Sequence, residues 1–106
     1  MACLLAPALA VDASVLNLVA LCKDANFNGA CYGSPAPDNT CVDFIPSFND
    51  VVTSLLPSPF TGVCTFYRDY GCSGPSFTAS FPGLTDLAQS HPTLNNELSS
   101  LKCAGL

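Results

Sequence analysis

Asn49-Asp50-Val51-Val52-Thr53-Ser54 and Asn95-Asn96-Glu97-Leu98-Ser99-Ser100 obey one rule: two Asn or Asp residues, two free positions, Ser or Thr, then Ser. Apolar residues flank both copies, Phe48 and Leu55 around the first, Leu94 and Leu101 around the second. The copies stand 46 residues apart, from 49 to 95. Carboxylate, amide, hydroxyl and backbone carbonyl oxygens are the ligands a hard cation such as calcium takes. Two oxygen-rich loops at one period point to a duplicated unit with two calcium sites.

The repeat extends upstream. Residues 22–29, CKDANFNG, align with residues 67–74, YRDYGCSG, at an offset of 45, from 22 to 67. Lys23 falls on Arg68, Asp24 on Asp69 and Gly29 on Gly74. Each segment precedes its oxygen-rich loop by nearly the same distance. Two copies of a unit this long are too few for a solenoid, so a two-fold pseudosymmetric domain fits better.

In these two parts the chain resembles the βγ-crystallin family, over about residues 15 to 103. The Greek-key unit of that family carries an aromatic, four residues, an aromatic, one residue, then Gly. Its calcium-binding members add the Asn/Asp-Asn/Asp-x-x-Ser/Thr-Ser loop later in the unit. Both parts occur here twice and in order. The departures are Cys22 and Cys72, which stand where the family has an aromatic, so each corner keeps one aromatic (Phe27, Tyr67). The resemblance implies an all-β fold, a single βγ-crystallin-like domain whose two Greek-key motifs pack as a β-sandwich. Motif one would cover about 15–61 and motif two about 62–106.

The resemblance also implies a ligand set. Carried over by position, one site would use Asp50, the Val51 carbonyl and the Thr53 hydroxyl, with the Arg68 carbonyl. The other would use Asn96, the Glu97 carbonyl and the Ser99 hydroxyl, with the Lys23 carbonyl. Asn49 and Asn95 would brace the loops, and Ser54 and Ser100 would bond to backbone. The competing reading is that these are Asn and Ser turns satisfying their own amides. Only Asp50 is a carboxylate among the leading pairs, and calcium affinity follows charge count. The sites are therefore expected to be weak, with Kd near ~10⁻⁴ M.

Composition narrows the class. The chain has 106 residues, seven of them Cys, with eight acids against three bases and a net charge of −5. That length suits one small domain with a modest core, the kind that disulfides brace in secreted proteins. The acidic balance argues against nucleic acid and anionic membrane surfaces. No apolar run reaches the ~20 residues of a membrane-spanning helix. Residues 1–10, MACLLAPALA, read as a signal-peptide remnant ending in an A-x-A cleavage pattern, leaving residues 11–106 as the mature domain of a secreted protein. A disordered apolar N-terminus is the other reading.

Removing that segment removes Cys3. Cys22, Cys31, Cys41, Cys64, Cys72 and Cys103 remain, an even set fit for disulfides. Their spacings of 9, 10, 23, 8 and 31 match no zinc pattern. Six Cys allow 15 pairings, and the sequence does not choose among them. Cys64 with Cys103 is the one pair expected here, because the first and last strands of a unit should be neighbours.

Val15–Leu21, Ala30–Tyr32, Cys41–Ile45 and Leu55–Leu56 read as the strands of the first unit, with a tight turn at Asn28-Gly29 and a loop over 33–39. Val63–Tyr67, Ser76–Phe81 and Leu101–Cys103 read as strands of the second. Leu84–Gln89 fits either a strand or a helical turn. Nine Pro and seven Gly leave no long helical period.

Catalysis finds little support. His91 is the only histidine and, beside Pro92, reads as an exposed loop residue; no G-x-S-x-G elbow accompanies Ser90 or Asp86. The expectation is a calcium-binding, non-enzymatic secreted domain whose two inter-motif sites stabilise the fold. The rival is a killer-toxin-like antimicrobial or host-interaction effector on the same fold. That rival needs an exposed apolar patch, expected around Tyr32, Phe60 and Tyr70.

Overall fold

A computed structural model describes residues 17–104. The expectations for residues 1–10 and for Cys3 lie outside the described residues. Seven strands form two antiparallel sheets: β1 (Leu18–Cys22), β2 (Cys31–Pro35), β3 (Cys41–Asp43), β4 (Ser54–Pro57), β5 (Val63–Asp69), β6 (Ser73–Ala79) and β7 (Ser100–Ala104). The first sheet has the order β2-β1-β4, the second β3-β7-β5-β6. One short helix, α1 (Leu87–Ser90), and 3₁₀ turns at Ala25–Phe27 and Pro46–Phe48 complete the described residues. The all-β class is as expected.

The topology is an exchange. β3 follows β2 in the chain yet joins the other sheet, pairing Cys41 with Lys102, Val42 with Leu101 and Asp43 with Ser100 on β7. The reciprocal transfer is a single bridge, in which Leu84 pairs with Leu55 on β4 through two backbone hydrogen bonds of 2.9 and 3.0 Å. Leu84–Gln89 thus satisfies both of its sequence readings, a one-residue bridge followed by α1. Asp86 ends the extended part by capping α1, its Oδ1 accepting the Ala88 N–H at 3.0 Å.

Every strand shifts by one or more residues from its expected bounds, most informatively β2 and β6. β2 runs through Gly33-Ser34-Pro35, which read as loop, and β6 starts at Ser73 rather than Ser76. Both strands lie at sheet edges, where proline costs no ladder bond that the sheet requires. A Pro/Gly-rich edge therefore looks like a loop in sequence.

Alternation places the core. Val19 and Leu21 of β1, Leu55 of β4, Cys64 and Phe66 of β5, and Leu101 and Cys103 of β7 are all buried and share one cluster with Val52, Leu87 and Leu98. Phe66 stacks on Phe77 with centroids 5.5 Å apart, and Phe77 in turn meets the His91 ring at 4.1 Å. His91 is therefore a half-buried packing residue and not the exposed loop histidine expected from its sequence context.

Three disulfides close the set: Cys22–Cys31, Cys41–Cys72 and Cys64–Cys103. Cys64 and Cys103 are direct partners across β5 and β7, as the neighbouring-strand argument expected. The loop they close, with a sequence separation of 39, is worth about 4 kcal/mol in the chain-entropy account.

The two glycines of the upstream repeat explain its shape. Gly29 and Gly74 have φ of +75° and +84°, and a Cβ on either would strike the carboxylate of Asp24 or Asp69. Asp and Gly recur five residues apart because the Asp side chain folds over the space the Gly leaves. Gly74→Ala is expected to destabilise the fold by more than about 1 kcal/mol, read as a lower urea midpoint at unchanged slope.

Candidate metal clamps between two loops

The oxygen-rich loops face each other and are stitched together by backbone. The Asp50 N–H donates to the Leu98 carbonyl at 3.0 Å, and the Asn96 N–H donates to the Val52 carbonyl at 3.2 Å. Both donors sit in the left-handed region, Asp50 at φ 62° and Asn96 at φ 61°. Asn and Asp are the non-glycine residues that enter that region most readily, which gives the second position of the motif a backbone reason.

The last position has a backbone reason too. Ser54 and Ser100 are both fully buried. Ser54 Oγ donates to the Asp24 carbonyl and accepts the Phe27 N–H, at 2.6 and 3.1 Å. Ser100 Oγ donates to the Asp69 carbonyl and accepts the Cys72 N–H, the latter at 3.0 Å. Each terminal serine thereby clips its loop to the corner of its own half. The neighbouring N–H groups do the same, Thr53 to the Cys22 carbonyl and Ser99 to the Tyr67 carbonyl, each at 2.9 Å.

This stitching regroups the expected ligands. Asp50 Oδ1 accepts from the Ser99 hydroxyl at 3.4 Å, and Asn96 Oδ1 accepts from the Thr53 hydroxyl at 3.1 Å. A groove of about 350 Å³ is lined by Asp50, Arg68, Glu97 and Ser99, together with Asn49, Asp69 and Tyr70. One cluster therefore gathers Asp50, Arg68, Glu97 and Ser99. Asn96 and Thr53 meet in the same way on the other side, where Val51 and Lys23 are the sequence counterparts of Glu97 and Arg68. The sequence grouping kept Asp50 with Val51 and Thr53, and Asn96 with Glu97 and Ser99. The structure pairs each leading side chain with the hydroxyl of the opposite loop, because the crossed backbone bonds lay position two of one loop against positions four and five of the other.

The donor chemistry fits a hard cation. Each cluster offers a pair of side-chain oxygens, a carboxylate or amide with a hydroxyl. The side-chain oxygens of Asn49 and Asn95 are buried with no hydrogen-bond partner. Buried polar oxygens are normally satisfied, so these two are open to a water or to an ion's hydration shell. Among the described residues, no three His, Cys, Asp or Glu gather as a metal-binding group. One cluster contains the Asp50 carboxylate and the other the neutral Asn96 amide. Arg68 Nε lies 3.3 Å from Asp69 Oδ1, half-exposed on both sides, and draws the guanidinium toward Asp69.

The remaining candidates are dispersed. Asp86 serves as the cap of α1, and Ser90 Oγ lies 3.1 Å from Nδ1 of its neighbour His91. The Asp86 carboxylate thus spends its bond on the helix, while the imidazole lies flat on Phe77. Tyr32, expected in an exposed patch, instead packs on Phe48 with centroids 5.6 Å apart. Phe60, Val63, Tyr70 and Phe81 are the large apolar side chains left about half-exposed. The exposures of Val63 and Phe81 were not read from sequence.

Neither a protein-family model nor a curated protein matches the chain. Solved structures do. A βγ-crystallin from Ciona intestinalis is 26% identical, with a TM-score of 0.66, covering 81% of this chain and 98% of its own. A structure from work on the evolution of the eye lens βγ-crystallin domain fold is also 26% identical, with a TM-score of 0.70 over 85% of this chain and 87% of its own. The βγ-crystallin domain of Abundant Perithecial Protein from Neurospora crassa, in its Ca²⁺-bound form, shares the fold at 16% identity. Its TM-score is 0.63 over 84% of this chain and 89% of its own.

Ser100→Ala removes a buried hydroxyl that serves two backbone groups. It is expected to cost about 1–3 kcal/mol in urea unfolding, because the Cys72 N–H and the Asp69 carbonyl both lose their partner.

Proposed function

Because the chain belongs to the βγ-crystallin family, we propose that its molecular function is to bind two calcium ions in clamps shared between its halves, with added stability as the direct result. The observation that carries this reading is the reciprocal meeting of Asp50 with Ser99 and of Asn96 with Thr53 across the two loops. One ion would be held by Asp50, the Ser99 hydroxyl and the carbonyls of Glu97 and Arg68. The other would be held by Asn96, the Thr53 hydroxyl and the carbonyls of Val51 and Lys23. Asn49 and Asn95 support the loops from behind.

The two clamps are unequal in charge. The first has the Asp50 carboxylate, whereas the second has the neutral Asn96 amide. Affinity follows charge, so the Asp50 clamp binds more tightly and both stay in the range of extracellular modules. Six cysteines joined in three disulfides agree with folding in an oxidising compartment and with secretion. The function is binding and not catalysis. A second reading, an effector acting on cells, rests on half-exposed Phe60, Val63, Tyr70 and Phe81. Lytic activity of the metal-free protein would favour it.

Calorimetric titration of the oxidised, EDTA-stripped protein is expected to show two weak calcium sites. At ten- to hundred-fold excess over Kd each site adds about 1.4 to 2.7 kcal/mol of stability, seen as a rise in Tm. Thr53→Arg should erase the weaker step alone, and Ser99→Ala should weaken the stronger one. Absence of binding heat together with an unchanged Tm would leave the loops as purely structural turns.

A further inference from the structure

Two of the disulfides expose a cysteine, and one of them ties down a short edge strand. β3 is three residues long, lies at the edge of its sheet and, among the described residues, has β7 as its only strand neighbour. It presses on the Ser99 segment directly. The Phe44 N–H, just beyond β3, donates to the Ser99 carbonyl at 2.8 Å, and Asp43 lies opposite Ser100. Asp43 also reaches the far corner, its Oδ1 accepting the Gly71 N–H at 2.9 Å. Cys41 opens β3 and is bonded to Cys72, which stands in a left-handed turn at φ 56° with its N–H on Ser100. A single covalent bond therefore ties the exchanged strand, the Gly71-Cys72 turn and the Ser99-Ser100 segment together.

Access differs among the three disulfides. Cys41 is exposed and Cys72 half-buried, whereas Cys64 and Cys103 are 0% and 1% exposed. A reductant reaches Cys41–Cys72 and leaves the core disulfide intact. Cys22–Cys31 is also reachable through exposed Cys31, but Cys22 lies on β1, which is paired on both sides by β2 and β4. Opening that bond leaves its strand in a ladder on each side. Opening Cys41–Cys72 leaves β3 on one three-residue ladder and the hydrogen bonds at Asn39, Asp43 and Phe44.

We propose that Cys41–Cys72 is a redox latch on the Asp50 clamp, so that a dithiol reductant lowers calcium affinity at that site while the rest of the fold persists. This rests on the calcium reading above. The dithiol supplies two electrons. Its thiolate attacks the Cys41 sulfur, the Cys41–Cys72 bond breaks, and the Cys72 thiolate leaves and takes up a proton. The second thiol then displaces Cys41 as a protonated thiol, and the reductant ends as its own cyclic disulfide. Linkage makes the effect reciprocal: calcium in the clamp holds Ser99 and β3 in place and protects the bond by the same factor.

The test compares calcium titrations of the oxidised protein and of the double variant Cys41→Ser/Cys72→Ser, with Cys22→Ser/Cys31→Ser as a second variant. The expected result is about a tenfold or greater loss at the tighter site in the first variant, with the weaker site kept, and a smaller change at the tighter site in the second. A second readout uses the native chain. In a dithiothreitol redox titration read by mass spectrometry, the equilibrium constant for reducing Cys41–Cys72 should fall about tenfold in saturating calcium relative to EDTA. This readout decides the matter if the variant does not fold. If the oxidised protein binds calcium and neither affinity nor the reduction equilibrium responds to the other, the latch is overturned and the calcium reading stands. If the oxidised protein binds no calcium, both fall together.

Discussion

The crossed pair of backbone hydrogen bonds between the two loops is the constraint on which the rest depends. Asp50 N–H to Leu98 and Asn96 N–H to Val52 join segments that are far apart in sequence and belong to opposite halves. Each bond requires a left-handed residue, so each loop must spend an Asn or Asp where most side chains would be strained. Once formed, the bonds bring each leading side chain against the opposite hydroxyl. They also bury Val52 and Leu98 in the common core, both fully inaccessible. The site and the core junction are thus one feature, and an ion bound there would act on the whole fold.

The halves are bound unequally by the strand exchange. The first half lends a three-residue strand to the other sheet, while the second lends a single bridge at Leu84 before α1 begins. Gly83 permits that close approach, since a Cβ there would meet the Leu55 carbonyl. The shortened exchange in one direction leaves more of the burden on β3 in the other, and a disulfide stands at that strand. The corner aromatics that the repeat replaces with cysteine are Cys22 and Cys72, and both are disulfide-bonded. At these corners covalent bonds occupy the positions where rings would otherwise pack.

Legibility in the sequence followed locality. The loop motif, the Asp–Gly corners and the alternating strands β5 and β7 were readable because each expresses a short-range rule, a left-handed turn or a period of two. Pro35 in β2 was not, because only its place at a sheet edge makes a proline harmless there. His91 read as an exposed loop residue, since nothing local announces that Phe77 will stack on it. Cys64–Cys103 followed from strand adjacency within one half. Cys41–Cys72 spans the halves and depends on the strand exchange, which no local signal records.

The amino-acid order by itself determined the class, the duplication and the oxygen-rich loops, because hydrophobic period, turn chemistry and oxygen donors are properties of neighbouring residues. The tertiary structure alone decided which donors stand together. Asp50 meets Ser99 and not Thr53 of its own loop because two left-handed turns point their N–H groups across the pseudo-two-fold junction. That junction exists only when both sheets have closed on a single core.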